Sequence, residues 1–227
     1  MNIFKPKFKV QVADERHLPY AQTIVDEMEA SAKVRGTGIA KRSPEFIIKK
    51  IQEGKAVIAL SSSGEWAGFC YIESWSHGQF VANSGLIVNP AFRKSGLAKE
   101  IKERIFQLSR SRYPEAKIFG LTTGLAVMKI NSDLGYEPVT YQELTTDEDF
   151  WSGCKSCVNY DILMAKERKN CLCTAMLYNP EENVIKKWKG RRLDFSRHSD
   201  LYERYMRIKK SRLLRWINKV KEPKTQK

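Results

Sequence analysis

Hydrophobic and polar residues follow two different periods along this chain, and each change of period marks a predicted element. Apolar residues that alternate or run together predict seven strands, at residues 7–12, 56–60, 66–75, 79–88, 117–122, 136–142 and 171–178. Apolar residues that recur every three or four positions predict four helices, at residues 17–33, 43–54, 99–112 and 125–134. The order strand, two helices, three strands, helix, strand, helix and two strands indicates a mixed α/β (α+β) domain.

The junction between the fourth strand and the third helix, residues 85–98, carries the most informative pattern. Pro90 has no N–H for a sheet ladder, so the strand is expected to stop before it. A short basic loop follows, and the helix then begins with unpaired backbone N–H groups and the positive end of its dipole. Gly96 and Ala98 let an anion approach the backbone, and Arg93 and Lys94 add positive charge. The junction therefore predicts a phosphate site.

The pattern Arg93-x-x-Gly96-x-Ala98, placed between an apolar strand and an amphipathic helix, resembles the acyl-CoA motif of the GNAT acetyltransferases (Gcn5-related N-acetyltransferases). The resemblance extends over residues 7–179. It implies the GNAT fold, a mixed and mostly antiparallel sheet with helices on both faces. It also implies acetyl-CoA, or another acyl-CoA, as co-substrate.

The resemblance assigns the co-substrate site to two neighbouring stretches. The backbone of Leu86, Ile87 and Val88 is expected to pair with the pantetheine arm and to point an N–H at the thioester oxygen. The diphosphate is expected on Arg93, Lys94, Ser95, Gly96, Leu97 and Ala98. Asn131 occupies the position where the family often has a tyrosine that protonates or holds the leaving thiolate. The general acid is therefore unassigned. Asn131 is still expected to bind the co-substrate.

Catalysis further needs a proton acceptor for the amine and a site for the acceptor molecule. Glu73, at the end of the strand before the junction, is the favoured base, with a water held by Asn83 and Ser84 as the alternative. In this fold the loop between the first two helices usually shapes the acceptor site. Here it contains Arg35 and Arg42, whose cations suit an acceptor with a carboxylate, such as an amino acid.

The cysteines allow two interpretations. Cys154 and Cys157 have zinc-ligand spacing, and Cys171 and Cys173 could complete four thiolates, but buried free thiols are the favoured interpretation. The run Trp151-x-x-Cys154-x-x-Cys157 is also similar to one in single-domain, N-acetylglutamate-synthase-like amino-acid acetyltransferases. That likeness favours glutamate or a related amino acid as acceptor.

Charge divides the chain into two predicted parts. Residues 181–227 contain sixteen basic and six acidic residues, which is +10 of the net +14, so residues 1–180 form the predicted GNAT domain and residues 181–227 a basic extension. A helix is predicted at residues 199–220. Its packing on the domain or on a second subunit is favoured over binding to nucleic acid or to an acidic membrane surface.

The expected function is acyl transfer from acyl-CoA to a small amine in the cytoplasm, in amino-acid metabolism. No apolar run approaches the roughly 18 residues of a membrane span, and the first residues lack the apolar core of a signal peptide. Two alternatives stay open. One is a protein or peptide N-acetyltransferase. The other is a non-catalytic CoA-binding module whose tail contacts RNA or a protein.

Overall fold

Seven strands form one sheet in the residues that the structure, a computed structural model, describes: 7–35 and 41–182, without the side chain of Arg35. The strands are β1 (Phe8–Val12), β2 (Ala56–Ser61), β3 (Trp66–Trp75), β4 (Phe80–Val88), β5 (Lys117–Thr122), β6 (Glu137–Val139) and β7 (Thr174–Tyr178). Their order across the sheet is β1-β2-β3-β4-β5-β7-β6. All neighbours are antiparallel except β4 and β5, which run parallel.

Six α-helices lie between β1 and β7 in the described ranges: α1 (Ala21–Arg35), α2 (Pro44–Gln52), α3 (Leu97–Arg112), α4 (Leu125–Asp133), α5 (Glu148–Ser152) and α6 (Tyr160–Ala165). The start of α2 follows its sequence signal, because the Ser43 hydroxyl accepts the Phe46 N–H at 3.3 Å and Pro44 occupies the first turn. The predicted fold class is confirmed.

The helices cover both faces of the sheet and create three apolar clusters. On one face α3 packs with Leu97, Ile101 and Ile105 against β2 to β4. On the other face α1 and α2 bury Ile24 and Ile47 against β2 and β3. The segment between β6 and β7 covers the rest of that second face, and its apolar side chains pack around Phe119 and Ala82 of β5 and β4.

Three predicted elements differ from their predicted bounds by more than two residues at one end. The helix expected at residues 17–33 begins as a 3-10 helix at Glu15–Tyr20, since Pro19 cannot donate an α-helical hydrogen bond, and α1 follows it. The strand expected at residues 136–142 is only β6, because Tyr141–Glu143 is a 3-10 turn. The strand expected from Cys171 begins at Thr174, so Cys171 and Cys173 precede it.

The segment between β6 and β7 was not predicted to be helical, yet it contains α5 and α6. The basic helix predicted at residues 199–220 lies outside the described residues, as does nearly all of the extension that it belongs to. Within the described ranges, no helix combines the length and the apolar composition needed to cross a membrane.

Candidate functional site

The parallel strands β4 and β5 separate in the middle of the sheet. Their pairing extends from Phe80 opposite Lys117 to Ala82 opposite Phe119, and β4 then continues to Val88 paired with β3. A bulge lies on this free stretch, because the register passes from Tyr71 opposite Ser84 to Phe69 opposite Ile87 and leaves one extra residue on β4. The separation exposes a backbone edge of β4 to which an extended ligand could bind.

Gly85 makes the bulge sterically feasible. Its φ of 65° lies in the left-handed region, and a Cβ there would come 2.2 Å from Cε1 of Tyr71 and 2.8 Å from Cε of Met28. The chain at this position therefore needs glycine for its conformation and for space. The side chains that follow are packed: Ile87 is buried with the α1–α2 cluster, whereas Leu86 and Val88 pack on the α3 side.

The loop after β4 ends at the N-terminus of α3. Two of its residues have positive φ, Lys94 at 65° and Gly96 at 95°, and Gly96 is the residue that caps the helix. A Cβ at Gly96 would meet no atom within 4 Å, so the space beside the helix terminus is open. The Ser95 hydroxyl donates to the Phe92 carbonyl at 2.7 Å and thereby holds the turn. Such a turn directs backbone N–H groups towards an anion.

Arg93, predicted to contact the diphosphate, is held by other groups in this structure. Its Nη2 lies 2.8 Å from Oε1 of Glu27 and donates to the Ser31 hydroxyl at 2.8 Å. Its Nε donates to the Val88 carbonyl at 3.2 Å. The side chain thus ties the junction to α1. The backbone amides of the turn remain the main candidates for anion binding.

Asn131 on α4 has an unusual environment for an amide. It is only 1% exposed, its Nδ2 contacts the Met176 sulfur at 3.8 Å, and its Oδ1 is buried with no hydrogen-bond partner among the described residues. A buried unpaired carbonyl oxygen is costly unless a ligand or a water satisfies it. The N–H-rich turn, the open β4 edge and this oxygen fit a phosphate-bearing ligand with an amide-containing arm.

On the opposite face of the sheet, Glu73 and Arg42 form an ion pair. Arg42 Nη2 donates to Oε1 of Glu73 at 3.1 Å, and Arg42 Nε donates to the Tyr71 hydroxyl at 3.0 Å. The Arg42 guanidinium also lies 4.7 Å from the centre of the Phe46 ring. Both charged side chains are mostly buried, at 18% and 14% exposure, so the pair is screened little by solvent.

Lys50 adds a second cation to this group. Burial lowers the pKa of Lys50, and the nearby Glu73 carboxylate opposes that shift. Its Nζ lies 5.1 Å from the centre of the Phe46 ring. Burial raises the pKa of Tyr71, and the neighbouring Glu73 charge raises it further, so the phenol stays neutral. The group therefore contains two basic side chains and one carboxylate, an excess of one positive charge.

The three residues predicted for proton transfer are divided between the two faces. Glu73 lies opposite Ala82 and Tyr71 opposite Ser84, so Ser84 is on the face of Glu73 and the ion pair. Asn83 is on the other face, where its amide donates to the Tyr136 hydroxyl at 3.2 Å and accepts from the Ser109 hydroxyl at 2.7 Å. Asn83 and Ser84 are therefore not placed to hold one water through their side chains.

The loop before α2 also touches the segment between β6 and β7. The Lys41 N–H donates to the Ser156 hydroxyl at 3.3 Å, which brings the Cys154–Cys157 stretch near Arg42. Arg35, the other cation predicted for the acceptor site, ends α1, and its side chain lies outside the described residues.

The cysteines are free thiols. Burial raises the pKa of Cys154 to about 11 and that of Cys173 to about 12, and the neighbouring thiols add to both shifts. Cys157 and Cys171 both contact Asn159, at its N–H and its carbonyl. No three histidine, cysteine, aspartate or glutamate side chains within residues 7–35 and 41–182 are arranged to hold a metal ion.

Sequence reasoning missed three residues of this region. Tyr71 had a signal, because it lies two positions before Glu73 and so shares its face. Lys50 and Lys102 had none, since a lysine on an amphipathic helix is normally exposed. Lys102 on α3 is instead only 2% exposed.

Comparison with solved structures identifies the fold. The sequence matches no protein-family model and no curated protein. The structure is similar to N-acetylglutamate synthase from Neisseria gonorrhoeae, complexed with coenzyme A and N-acetyl-glutamate, with a TM-score of 0.54 and 14% identity over 76% of this chain. The match covers 35% of that synthase chain, so this protein corresponds to about a third of it.

Two further structures match over nearly their whole length. Rv2747 from Mycobacterium tuberculosis, solved in complex with CoA, has a TM-score of 0.53 and 18% identity over 75% of this chain and 98% of its own. An acetyltransferase of the GNAT family from Staphylococcus aureus has a TM-score of 0.52 and 10% identity over 77% of this chain and 99% of its own. The resemblance read from the Arg93–Ala98 motif is thereby confirmed for the fold: this chain has the fold of the GNAT acetyltransferases.

Proposed function

We propose that the protein is an N-acyltransferase that moves an acetyl or other short acyl group from acyl-CoA to the amine of a small molecule, an amino acid such as glutamate. One observation carries the proposal. The edge of β4 freed from β5 is followed, after the loop at residues 89–96, by the N-terminus of α3, so consecutive stretches of the chain offer strand pairing to an extended arm and amides to a diphosphate.

The acyl-CoA donor would bind to residues of both the β4 edge and the α3 N-terminus. The backbone of Leu86, Ile87 and Val88 would pair with the pantetheine arm, and the Asn131 carbonyl oxygen would accept an N–H from it. The diphosphate would lie on the turn formed by Lys94, Ser95, Gly96, Leu97 and Ala98, with Arg93 at its edge. Neisseria N-acetylglutamate synthase and Rv2747, which share the fold, were both solved with coenzyme A.

The acceptor would lie on the opposite face, beside Arg42, Glu73 and Lys50. The surplus positive charge there suits a molecule that brings a carboxylate. Glu73 lies on β3 opposite Ala82, two residues before Ser84 at the bulge of β4, and Arg42 orients its carboxylate. This arrangement supports an amino acid over a polyamine, whose own cations would meet Arg42 and Lys50 at close range.

The proposed chemistry is attack of the acceptor nitrogen on the thioester carbonyl carbon. A C–N bond forms, the C–S bond breaks, and the electron pair leaves with the sulfur. A backbone N–H beyond the bulge would take the negative charge that develops on the carbonyl oxygen. Glu73 would remove the ammonium proton before attack, the nitrogen would release its second proton to solvent as the amide forms, and Arg42 would hold the Glu73 carboxylate in position.

The test is a two-stage measurement on the purified full chain. Calorimetry first measures affinity for CoA. Thiol release is then followed with acetyl-CoA and succinyl-CoA against the twenty amino acids, polyamines and lysine peptides. We expect release that depends on an acidic amino acid. Release with lysine peptides alone would identify a protein acetyltransferase, and CoA binding without any acceptor-dependent release would identify a binding module.

The proposal also divides the chain into a catalytic domain at residues 1–180 and a basic extension at residues 181–227. The uneven charge supports this division, since the extension contributes +10 of the net +14. Tyr178 of β7 still packs on the α3 side of the sheet, so the domain includes that strand.

A further inference from the structure

Lys102 is a buried cation that nothing in the proposed mechanism uses. It lies in the middle of α3 and is 2% exposed. Within residues 7–35 and 41–182, no oxygen accepts a hydrogen bond from its Nζ and no carboxylate pairs with it. Its Nζ lies 5.5 Å from the centre of the Tyr136 ring. A buried ammonium group without an acceptor costs free energy, and an apolar side chain would be more stable in its place.

The position of Lys102 connects it with the co-substrate region. Lys99, three residues earlier on the same side of α3, lies 3.6 Å from Asp133 at the end of α4. α3 packs on β4, and α4 packs on β5 and β7, so the two helices flank the place where β4 and β5 separate. Lys102 therefore lies on the side of α3 that faces Tyr136, which follows α4 in the chain.

A second unpaired group lies on the other helix. The buried Asn131 Oδ1 of α4 has no partner among the described residues, and the Asn131 carbonyl accepts the N–H of Tyr136, the residue whose ring Lys102 approaches. A buried lysine on α3 and a residue of α4 with an unsatisfied amide oxygen thus both contact Tyr136, one at its ring and the other at its backbone N–H. Two such groups flanking one opening indicate a ligand that satisfies both.

We propose that the Lys102 ammonium binds the sulfur of coenzyme A and protonates it as the thioester breaks. The inference rests on the proposed function. It supplies the general acid for the leaving thiolate, a role that the Asn131 amide cannot fill because it has no acidic proton. When the C–S bond breaks, its electron pair stays on sulfur. A proton passes from Nζ to that sulfur, CoA leaves as the thiol, and Nζ regains a proton from water.

The surroundings of Lys102 suit this role. Burial lowers the pKa of Lys102 and brings its acidity closer to that of a thiol, which is the condition for efficient proton transfer to a thiolate. The titratable groups facing it are the Cys70 thiol of β3, Tyr136 after α4 and, beside Tyr136, Tyr178 of β7. Burial raises the pKa of Cys70 to about 11 and that of Tyr136 well above its usual value, so these groups stay neutral.

The test compares Lys102→Met with Lys129→Met, a control that removes an exposed lysine from α4. Three quantities are measured on the full chain: thiol release at saturating acyl-CoA, the pKa of the bound CoA thiol from its ultraviolet thiolate absorbance, and the melting temperature. For Lys102→Met we expect turnover to fall about a hundredfold, the loss typical of a missing general acid. The bound thiol pKa should rise, and the melting temperature should also rise. Lys129→Met should resemble the wild type.

Lys102→Arg distinguishes charge from proton transfer, because it keeps the cation but does not release a proton. It should keep the low pKa of the bound thiol without restoring turnover. Unchanged turnover in Lys102→Met overturns the inference, and so does lost turnover with a lower melting temperature and an unchanged thiol pKa. Failure of the wild-type protein to bind CoA would instead overturn the proposed function, and this inference with it.

Discussion

The Arg42 guanidinium and the Glu73 carboxylate lie 3.1 Å apart across 31 positions of sequence, in a place where both are mostly buried. The sequence suggested separate roles for them, an acceptor clamp and a base. Their contact makes the two roles interdependent. A guanidinium that already holds one carboxylate orients that group, and it has fewer N–H groups left for a substrate. Lys50 is the remaining cation for an acceptor carboxylate.

Glu73→Gln is expected to lower turnover and to leave CoA affinity unchanged, since the donor site lies at the other face of the sheet. The substitution also leaves Arg42 without its anion, which should cost about 1–3 kcal/mol of stability. Turnover is measured as a function of pH beside calorimetric CoA affinity. If the pH profile of Glu73→Gln matches that of the wild type, the base lies elsewhere.

A double-mutant cycle measures the interaction energy between Arg42 and Glu73 separately from the effect of each single substitution. Arg42→Met alone should destabilise the fold because it leaves the buried Glu73 carboxylate unpaired. The double variant Arg42→Met/Glu73→Gln should lose less stability than the sum of the single variants by about 1 kcal/mol or more. Urea denaturation of the four proteins measures this. Strict additivity would mean that the two charges do not interact in solution.

Gly96→Glu is expected to abolish CoA binding, because a carboxylate would enter the open space at the α3 terminus and repel the diphosphate. Gly64→Glu is the matched control: Gly64 also has a positive φ, 82° against 95°, and also has no neighbour within 4 Å of a Cβ. Both variants should lose about 1 kcal/mol of stability from backbone strain. Calorimetry should show that only Gly96→Glu loses CoA affinity. Equal CoA affinities of the two variants would show that the anion site is not at the α3 N-terminus.

Gly85→Ala is expected to destabilise the domain by about 2–4 kcal/mol, from a methyl group forced against Tyr71 and a positive φ. Its Cβ would lie 2.2 Å from the Tyr71 ring. Gly153→Ala, at a φ of −61° with no neighbour within 4 Å, should stay close to the wild type. Thermal denaturation compares the two. Equal melting temperatures would mean that the β4 bulge rearranges easily.

Local patterns predicted most of the fold. β3 and β5 have the predicted bounds, because each is an apolar run bounded by turn residues. The helices between β6 and β7 were missed, since five or six residues are too few for a helical period to emerge. The alternation of apolar residues predicted a strand at residues 136–142, but β6 ends at Val139 because a 3-10 turn follows at Tyr141–Glu143.

The candidate site was predictable only where it is continuous in sequence. The α3 junction could be read because loop, cap and helix follow one another along the chain. The contact of Arg42 with Glu73 depends on how α2 lies against β3, which periodicity does not specify. Lys102 is the extreme case: a lysine beside Ile101 on an amphipathic helix is ordinarily at the surface, and only the packing of Tyr136 and Cys70 around it makes it buried.

The difference in stability between the wild type and Lys102→Met should change with alkaline pH. Burial lowers the pKa of Lys102 in the folded protein below the 10.5 of an exposed lysine. Between the folded and the unfolded pKa, the unfolded chain binds more protons, so this group makes stability rise with pH. Below the folded pKa both states are protonated, and the full penalty of the buried charge remains.

The methionine variant should therefore be the more stable protein near neutral pH, and its advantage should shrink as the pH rises towards 10.5. The raised pKa of Tyr71 lowers stability at alkaline pH equally in both proteins and cancels in the difference. The Lys102 charge lowers the pKa of the Cys70 thiol, so that pKa rises further in the methionine variant and adds to the loss of its advantage at alkaline pH. Urea denaturation at a series of pH values measures that difference. An advantage that is constant with pH would show that Lys102 does not titrate differently on folding.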